Sequence, residues 1–290
     1  MESIYKKEMK VMFSGMMGFI FIAVMLVVVG IFTKVYNLGG ARAFSNFEYS
    51  LNGGIWAYLV IIPVLTMRSM AEETRSKTDQ LLFTSPVSMS DIILGKFFAM
   101  ATVIGIPCLI FCVYPIIFSA YGVVNYLTAY AGILIFFLLG AMLISVGLFI
   151  STLTDSQIIA AVCSFGVVLM TLLMSSIISM VESSSIGSMA VFTVVIALVT
   201  LLVQVMTKDW TVALIVGIVL ECGVLAMYFI DSTILETALS SVLSALAVLD
   251  MVDSILFDGL IDWTVYVYFI SVTVMLLFLS VQSLEKRRWS

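Results

Sequence analysis

The chain has 290 residues, a formal net charge of −5, and is 62% hydrophobic with only 11% charged residues, against about 25% charged in an ordinary soluble domain. That leaves too little polar surface to cover a water-soluble fold. Its apolar runs are long enough to cross a bilayer, for which a helix needs about 20 residues. They are continuous rather than alternating, which argues against a barrel and for helices, whose backbone groups are satisfied internally in lipid.

The expected fold class is therefore all-α, a polytopic membrane helical bundle in one domain over residues 1–290. Eight spans are expected, at 11–33, 49–67, 97–120, 127–150, 158–181, 189–206, 211–230 and 263–282. The first follows Lys6, Lys7 and Lys10 without a small-residue cleavage pattern, which reads as a retained signal anchor. The second has a short apolar core, Ile55 to Met67, and needs Tyr49 to Gly54 to complete its crossing. In the third, Pro107 and Pro115 each remove an intrahelical hydrogen bond and favour a bend.

An even number of spans puts both termini on one side. With that side cytoplasmic, the inner segments hold Lys6, Lys7, Lys10, Arg68, Arg75, Lys77, Lys96, Lys208, Lys286, Arg287 and Arg288, and the outer ones only Lys34 and Arg42. This satisfies the positive-inside rule. The acidic residues Asp231, Glu236, Asp250, Asp253, Asp258 and Asp262 then fall in one outer loop, 231–262. Leu235, Leu239, Val242, Leu246, Leu249, Val252 and Leu256 recur there at helical spacing, predicting an amphipathic helix with a Thr233–Glu236 capping box and Gly259 at its end.

Two other groups of residues bear on function. Glu221 is the one carboxylate expected well inside a span, and an intramembrane acid is a default functional candidate; it equally fits a protonated or structurally paired group, with Gln204 across the hairpin as its partner. Cys108, Cys112, Cys163 and Cys222 all lie in apolar segments and read as small buried hydrophobes rather than as ligands or disulfide partners. Histidine is absent, which removes histidine-based acid–base and triad chemistry and most zinc sites. There is no phosphate-binding glycine loop, since Gly95-Lys96 lacks the earlier glycine and the following hydroxyl, and no nucleic-acid face. No catalytic, cofactor-binding or metal-binding residue is expected.

The stretch from Met67 to Pro86 is polar and has helical periodicity. Met67, Met70, Ala71, Thr74, Thr78, Leu81 and Leu82 share a face, and Glu72 with Arg75 and Glu73 with Lys77 are spaced for ion pairs on the other. Ser85-Pro86 breaks this helix, and Ser88 to Asp91 can cap a short second one, Ile92 to Lys96, that feeds the third span.

The run Met70-Ala-Glu-Glu-Thr-Arg, followed by Thr78-Asp-Gln-Leu-Leu-Phe-Thr-Ser-Pro-Val-Ser and by Ile92-Ile-Leu-Gly-Lys96, resembles the cytoplasmic signature of ABC-2 type permeases. At the other end, Phe257-Asp-Gly-Leu-Ile-Asp262 and Leu284-Glu-Lys-Arg-Arg-Trp289 are similar to the closing segment of the gliding-motility, Gld-type branch. The resemblance implies a permease of the cell membrane, multi-pass with both termini inside, that works with a second copy or paralogue. It also implies a separate nucleotide-binding ATPase that binds the ATP.

In that reading residues 67–96 are coupling helices, with Glu72, Glu73, Arg75, Thr78, Leu81, Leu82, Pro86, Gly95 and Lys96 carrying the contact and the inner loop Ser151 to Gln157 adding a second. Export of a lipid-linked, peptide or amphipathic substrate is the expected activity. Family members usually have six spans, so 189–230 reads as an extra hairpin. Two alternatives remain open at this level: an ion-coupled carrier or channel using Glu221, and a membrane anchor of a gliding or secretion assembly.

Overall fold

The structure, a computed structural model, describes residues 1–38, 46–75, 88–120, 122–181, 247–257, 259 and 261–289, together with the single positions 193, 200, 217 and 221. The regular structure of the described residues is helical throughout. In chain order the helices are α1 (Glu2–Ser14), α2 (Met17–Thr33), α3 (Glu48–Gly54), α4 (Tyr58–Thr66), α5 (Ala71–Arg75) and α6 (Met89–Phe111). They are followed by α7 (Tyr114–Phe118), α8 (Tyr126–Leu153), α9 (Gln157–Val181), α10 (Val248–Leu256) and α11 (Trp263–Trp289).

Six stretches among the described residues are long and apolar enough to cross a membrane: Met17–Leu38, Glu48–Arg75, Met89–Phe118, Tyr126–Leu153, Gln157–Ser176 and Trp263–Lys286. They coincide with six of the eight expected spans. The other two, 189–206 and 211–230, lie almost wholly outside the described residues; Thr193, Thr200, Gly217 and Glu221 within them are helical. The chain divides into two compact units, residues 1–169 with 251–290, and residues 170–250. In the second unit, a Cβ added to Gly217 would meet the side chain of Thr200, so these two helical positions stand face to face.

The first unit is organised around α8, which packs against α3, α4, α6 and α11. Small residues let the backbones approach, the main route to tight helix contact where lipid removes the hydrophobic force between spans. Gly140 faces the Tyr58 ring and Gly147 faces Thr66, both on α4. Phe136 lies 4.8 Å from Tyr58 and 6.2 Å from Phe111 by ring centroids, and all three are fully buried. Four hydroxyls in the spans bond back one turn, Thr33 to Val29, Thr66 to Ile62, Thr273 to Phe269 and Ser280 to Leu276, which satisfies them away from water.

The third span is one 23-residue helix from Met89, with Ser88 as its cap accepting the Asp91 backbone N–H at 3.2 Å. The expected separate short helix, Ile92 to Lys96, is instead its first turns. Pro107 is absorbed within α6, whereas the helix breaks between Phe111 and Tyr114, where Pro115 sits in the first turn of α7 and cannot supply the next backbone donor. Beyond α2 the chain winds into a π-helix, Lys34–Leu38.

Among the described residues, α10 is what falls on the expected outer amphipathic helix; Thr233 and Glu236 lie outside them. Its Val252, Ile255 and Leu256 are buried, and Leu256 approaches Gly132 of α8. Asp253, one of the acids of the outer loop, accepts a hydrogen bond from the Asn52 amide of α3, and Phe257 packs on Tyr49 at 5.0 Å. Gly259 adopts φ +65° just after the helix, a conformation that favours glycine, in keeping with its expected role as a terminator. Asp262 accepts the backbone N–H of Thr264 at 2.8 Å at the start of α11. Hydrogen bonds from Thr264 hold the Asp262 carboxyl below the usual carboxylate range.

Candidate functional site

At the end of the first unit where α4 gives way to polar sequence, α1, α5, α6 and the C-terminal end of α8 meet. Helix α5 has only five residues, too few to persist on its own in water. Its apolar side holds it down, since Met70 and Ala71 are fully buried. Its first donors are capped by another span: the Ser151 hydroxyl of α8 accepts the backbone N–H of Met70 at 3.1 Å and of Ala71 at 3.2 Å. The beginning of the expected second contact loop is therefore physically joined to the first.

Lys96 of α6 is the hub of this region. It is 2% exposed, and its ammonium lies 3.0 Å from Glu8 Oε1 of α1, 3.0 Å from Glu73 Oε2 of α5, and donates to the Ser69 carbonyl at 2.7 Å. The ammonium thus donates two hydrogen bonds, to Glu8 and to the Ser69 carbonyl, while Glu73 adds a second counter-charge. Lys7 adds a looser pair to Glu73 at 3.4 Å. Beside Lys96, Gly95 lets α1 lie directly on α6, because a Cβ there would be 3.0 Å from Ile4 Cγ2 and 3.3 Å from the Met1 carbonyl. Tyr5 and Thr102 exchange a hydroxyl contact of 3.1 Å across the same pair of helices. Glu72 and Arg75 are turned to the outside of α5.

The arrangement is an exposed acidic and basic face on a short helix that is pinned to two spans, α6 and α8, and to α1. No group of residues that could hold a metal ion occurs among the described residues. The family model described as ABC-2 family transporter protein matches residues 3–185, more than half of the chain. The chain belongs to the ABC-2 transporter family. It is a membrane-spanning permease of several helices, and the ABC-2 membrane domain is a non-catalytic transporter subunit. No curated protein matches it.

Of the residues expected to meet the partner in this ABC-2 permease, Glu72, Glu73, Arg75, Gly95 and Lys96 are brought into one region. Thr78, Leu81, Leu82 and Pro86 lie outside the described residues. Glu73, Gly95 and Lys96 are inward, and Glu72 and Arg75 outward. Glu221 is helical and half-buried, while its expected companion Gln204 lies outside the described residues. Glu8 was not expected, and Ser151 was expected only as the first residue of the second contact loop, not as the cap of α5. Glu8 carried a weak signal, a carboxylate among Lys6, Lys7 and Lys10; Ser151 carried none, as nothing in a sequence marks a hydroxyl that caps a helix 80 residues earlier.

Ser151→Ala strands two buried backbone donors and is expected to cost α5 about 0.5–2 kcal/mol, the usual range for a lost helix cap. Limited trypsin digestion of the detergent-solubilised protein checks this: cleavage after Arg75 accelerates, while cleavage in the Leu284 to Trp289 segment does not change.

Proposed function

We propose that this permease is the membrane subunit of an ATP-driven exporter, most similar to the Gld-type branch, and that it is driven by a separate ATPase through residues 67–96. The observation that carries this reading is α5: a helix exposed along Glu72 and Arg75, yet tied through Ser151 to α8 and through Glu73 and Lys96 to α6 and α1. A push on that face reaches three helices without passing through a flexible joint. Glu72 and Arg75 face the ATPase, whereas Glu73, Gly95 and Lys96 position the face they stand behind.

In this reading both termini and α5 are cytoplasmic, in the cell membrane, and a lipid-linked, peptide or amphipathic substrate leaves on the α10 side. A second copy or paralogue packs on the spans that the chain itself covers least. In Met17–Leu38 and Gln157–Ser176 only 22% of the apolar window is buried within the chain, against 67% for Tyr126–Leu153.

Purifying the tagged chain from its native membrane tests the proposal. The wild type is expected to bring down a soluble ATPase, and Glu72→Ala/Arg75→Ala to weaken that association about tenfold, as loss of a well-placed interface group does. Absence of an ATPase from a monodisperse wild-type preparation, or its undiminished retention by the double variant, overturns the assignment of this face.

A further inference from the structure

Next to the Lys96 cluster lies a crevice of about 340 Å³ between α1, α4 and α5. One wall is apolar, formed by Phe21, Val64 and Leu65; the other carries charge. Its acids are committed: Glu8 and Glu73 are held by Lys96, and Glu72 has an interaction of its own. Two adjacent polar groups are not. The only partner of the Arg68 guanidinium among the described residues is the Met17 thioether, 3.7 Å away. The Ser69 hydroxyl oxygen is buried and has no hydrogen-bond partner among the described residues.

A buried hydroxyl without a partner is costly, and a guanidinium is shaped for bidentate binding of an oxyanion. Arg68 and Ser69 both line the crevice, directly after the last apolar residue of the second span, where a bilayer places its phosphates. We infer that this crevice binds the phosphodiester headgroup of a glycerophospholipid. Arg68 pairs with the phosphate, Ser69 donates to it, and one acyl chain follows Phe21 and Val64 into the bilayer. The Ser69 carbonyl is fixed by Lys96 at 2.7 Å, so the site is held in place by the same ammonium that anchors α5. Lipid occupancy bridges α2, through Phe21, to the start of α5 and so sets how firmly that helix is held.

The test uses the purified full chain in mild detergent, without any partner, so its outcome is independent of the ATPase assignment. Binding of dioleoylphosphatidylglycerol is titrated by native mass spectrometry for the wild type, Arg68→Ala, Ser69→Ala, the double variant and Val64→Trp, which obstructs the apolar wall without touching charge. Dioleoylglycerol and glycerol 1-phosphate serve as probes that lack the phosphate or the chains.

The wild type is expected to bind one phospholipid, the double variant to bind at least about tenfold more weakly, and Val64→Trp to weaken binding as well. Neither truncated probe is expected to match the intact lipid. Equal affinity in the double variant overturns the inference. So does dioleoylglycerol binding as tightly as the phospholipid, which reduces the site to its apolar wall. Arg68-dependent binding of glycerol 1-phosphate at the lipid's affinity makes it a soluble-anion site and overturns it too. Val64→Trp retains a folded core because Val64 is already exposed, so the inference stays testable even if Arg68→Ala fails to fold.

Discussion

Lys96→Met is expected to be the most damaging single substitution among the described residues, costing about 3–5 kcal/mol, the range seen when one partner is removed from a buried ion pair. The methionine fits the space, so the loss is electrostatic. Glu8 and Glu73 keep their negative charges in a site where their side chains are only 13% and 14% exposed, and the Ser69 carbonyl loses its donor. Replacing all three members together, Lys96→Met/Glu8→Met/Glu73→Met, is expected to recover most of the loss, because an apolar set of similar volume often matches a buried ion pair in stability. Thermal unfolding of the detergent-solubilised protein, compared among wild type, single and triple variants, gives both numbers. A single variant as stable as wild type refutes the hub role of Lys96. The triple variant also separates stability from function: if the fold is restored and an associated ATPase is no longer stimulated, the charges serve transmission and not cohesion.

Gly140→Ala is expected to cost about 1–3 kcal/mol, the usual price of overpacking, although alanine is the better helix former by about 1 kcal/mol. A Cβ there would lie 2.8 Å from the Tyr58 hydroxyl and 2.9 Å from the ring carbon that bears it. Tyr58 has nowhere to go: it is fully buried, its hydroxyl donates to the Phe136 carbonyl at 2.8 Å, and its ring rests on Phe136. The strain therefore moves α4 away from α8, and in lipid the lost packing is not replaced by a hydrophobic force between the helices. A double-mutant cycle decides the cause. Tyr58→Phe removes the atom nearest the new methyl, so Tyr58→Phe/Gly140→Ala is expected to be more stable than the sum of the two single losses. Strict additivity places the damage elsewhere.

The spans were legible because hydropathy measures what lipid requires of a helix surface. The second was the weakest expectation for the same reason. Its outer half contains Glu48, Ser50, Asn52, Gly53 and Gly54 and faces α2 and α8 rather than lipid, with Glu48, Ser50, Gly53 and Gly54 all buried. A helix covered by protein need not be apolar. The polar stretch after the second span was legible as a helix from its periodicity, and the buried Met70–Ala71 side agrees with that periodicity.

Its internal wiring was not legible. Glu73 was expected to pair with Lys77, which lies outside the described residues; what the spacing did not announce is its pairing with Lys7, 66 residues away, and with Lys96. Lys96 was assigned to the partner because its motif suggested a contact, whereas Glu8, 88 residues earlier, takes it inward. Asp253 was placed in the outer loop, but nothing in the sequence pointed to its contact with Asn52, 201 residues away. Periodicity finds the face of a helix, and only tertiary structure says which distant chain comes to cover it.

If α5 has the coupling role proposed for it, its shortness gives it a second way to signal. A helix with five residues and borrowed first hydrogen bonds can lose its order without any span tilting or sliding. If Ser151 withdraws by little more than an ångström, the Met70 and Ala71 amides lose their acceptor, and nothing within α5 can replace it. The information that crosses this joint is then whether a helix exists, and amide exchange at these two positions, slow when α8 holds them and fast when it lets go, becomes a direct clock of the cycle.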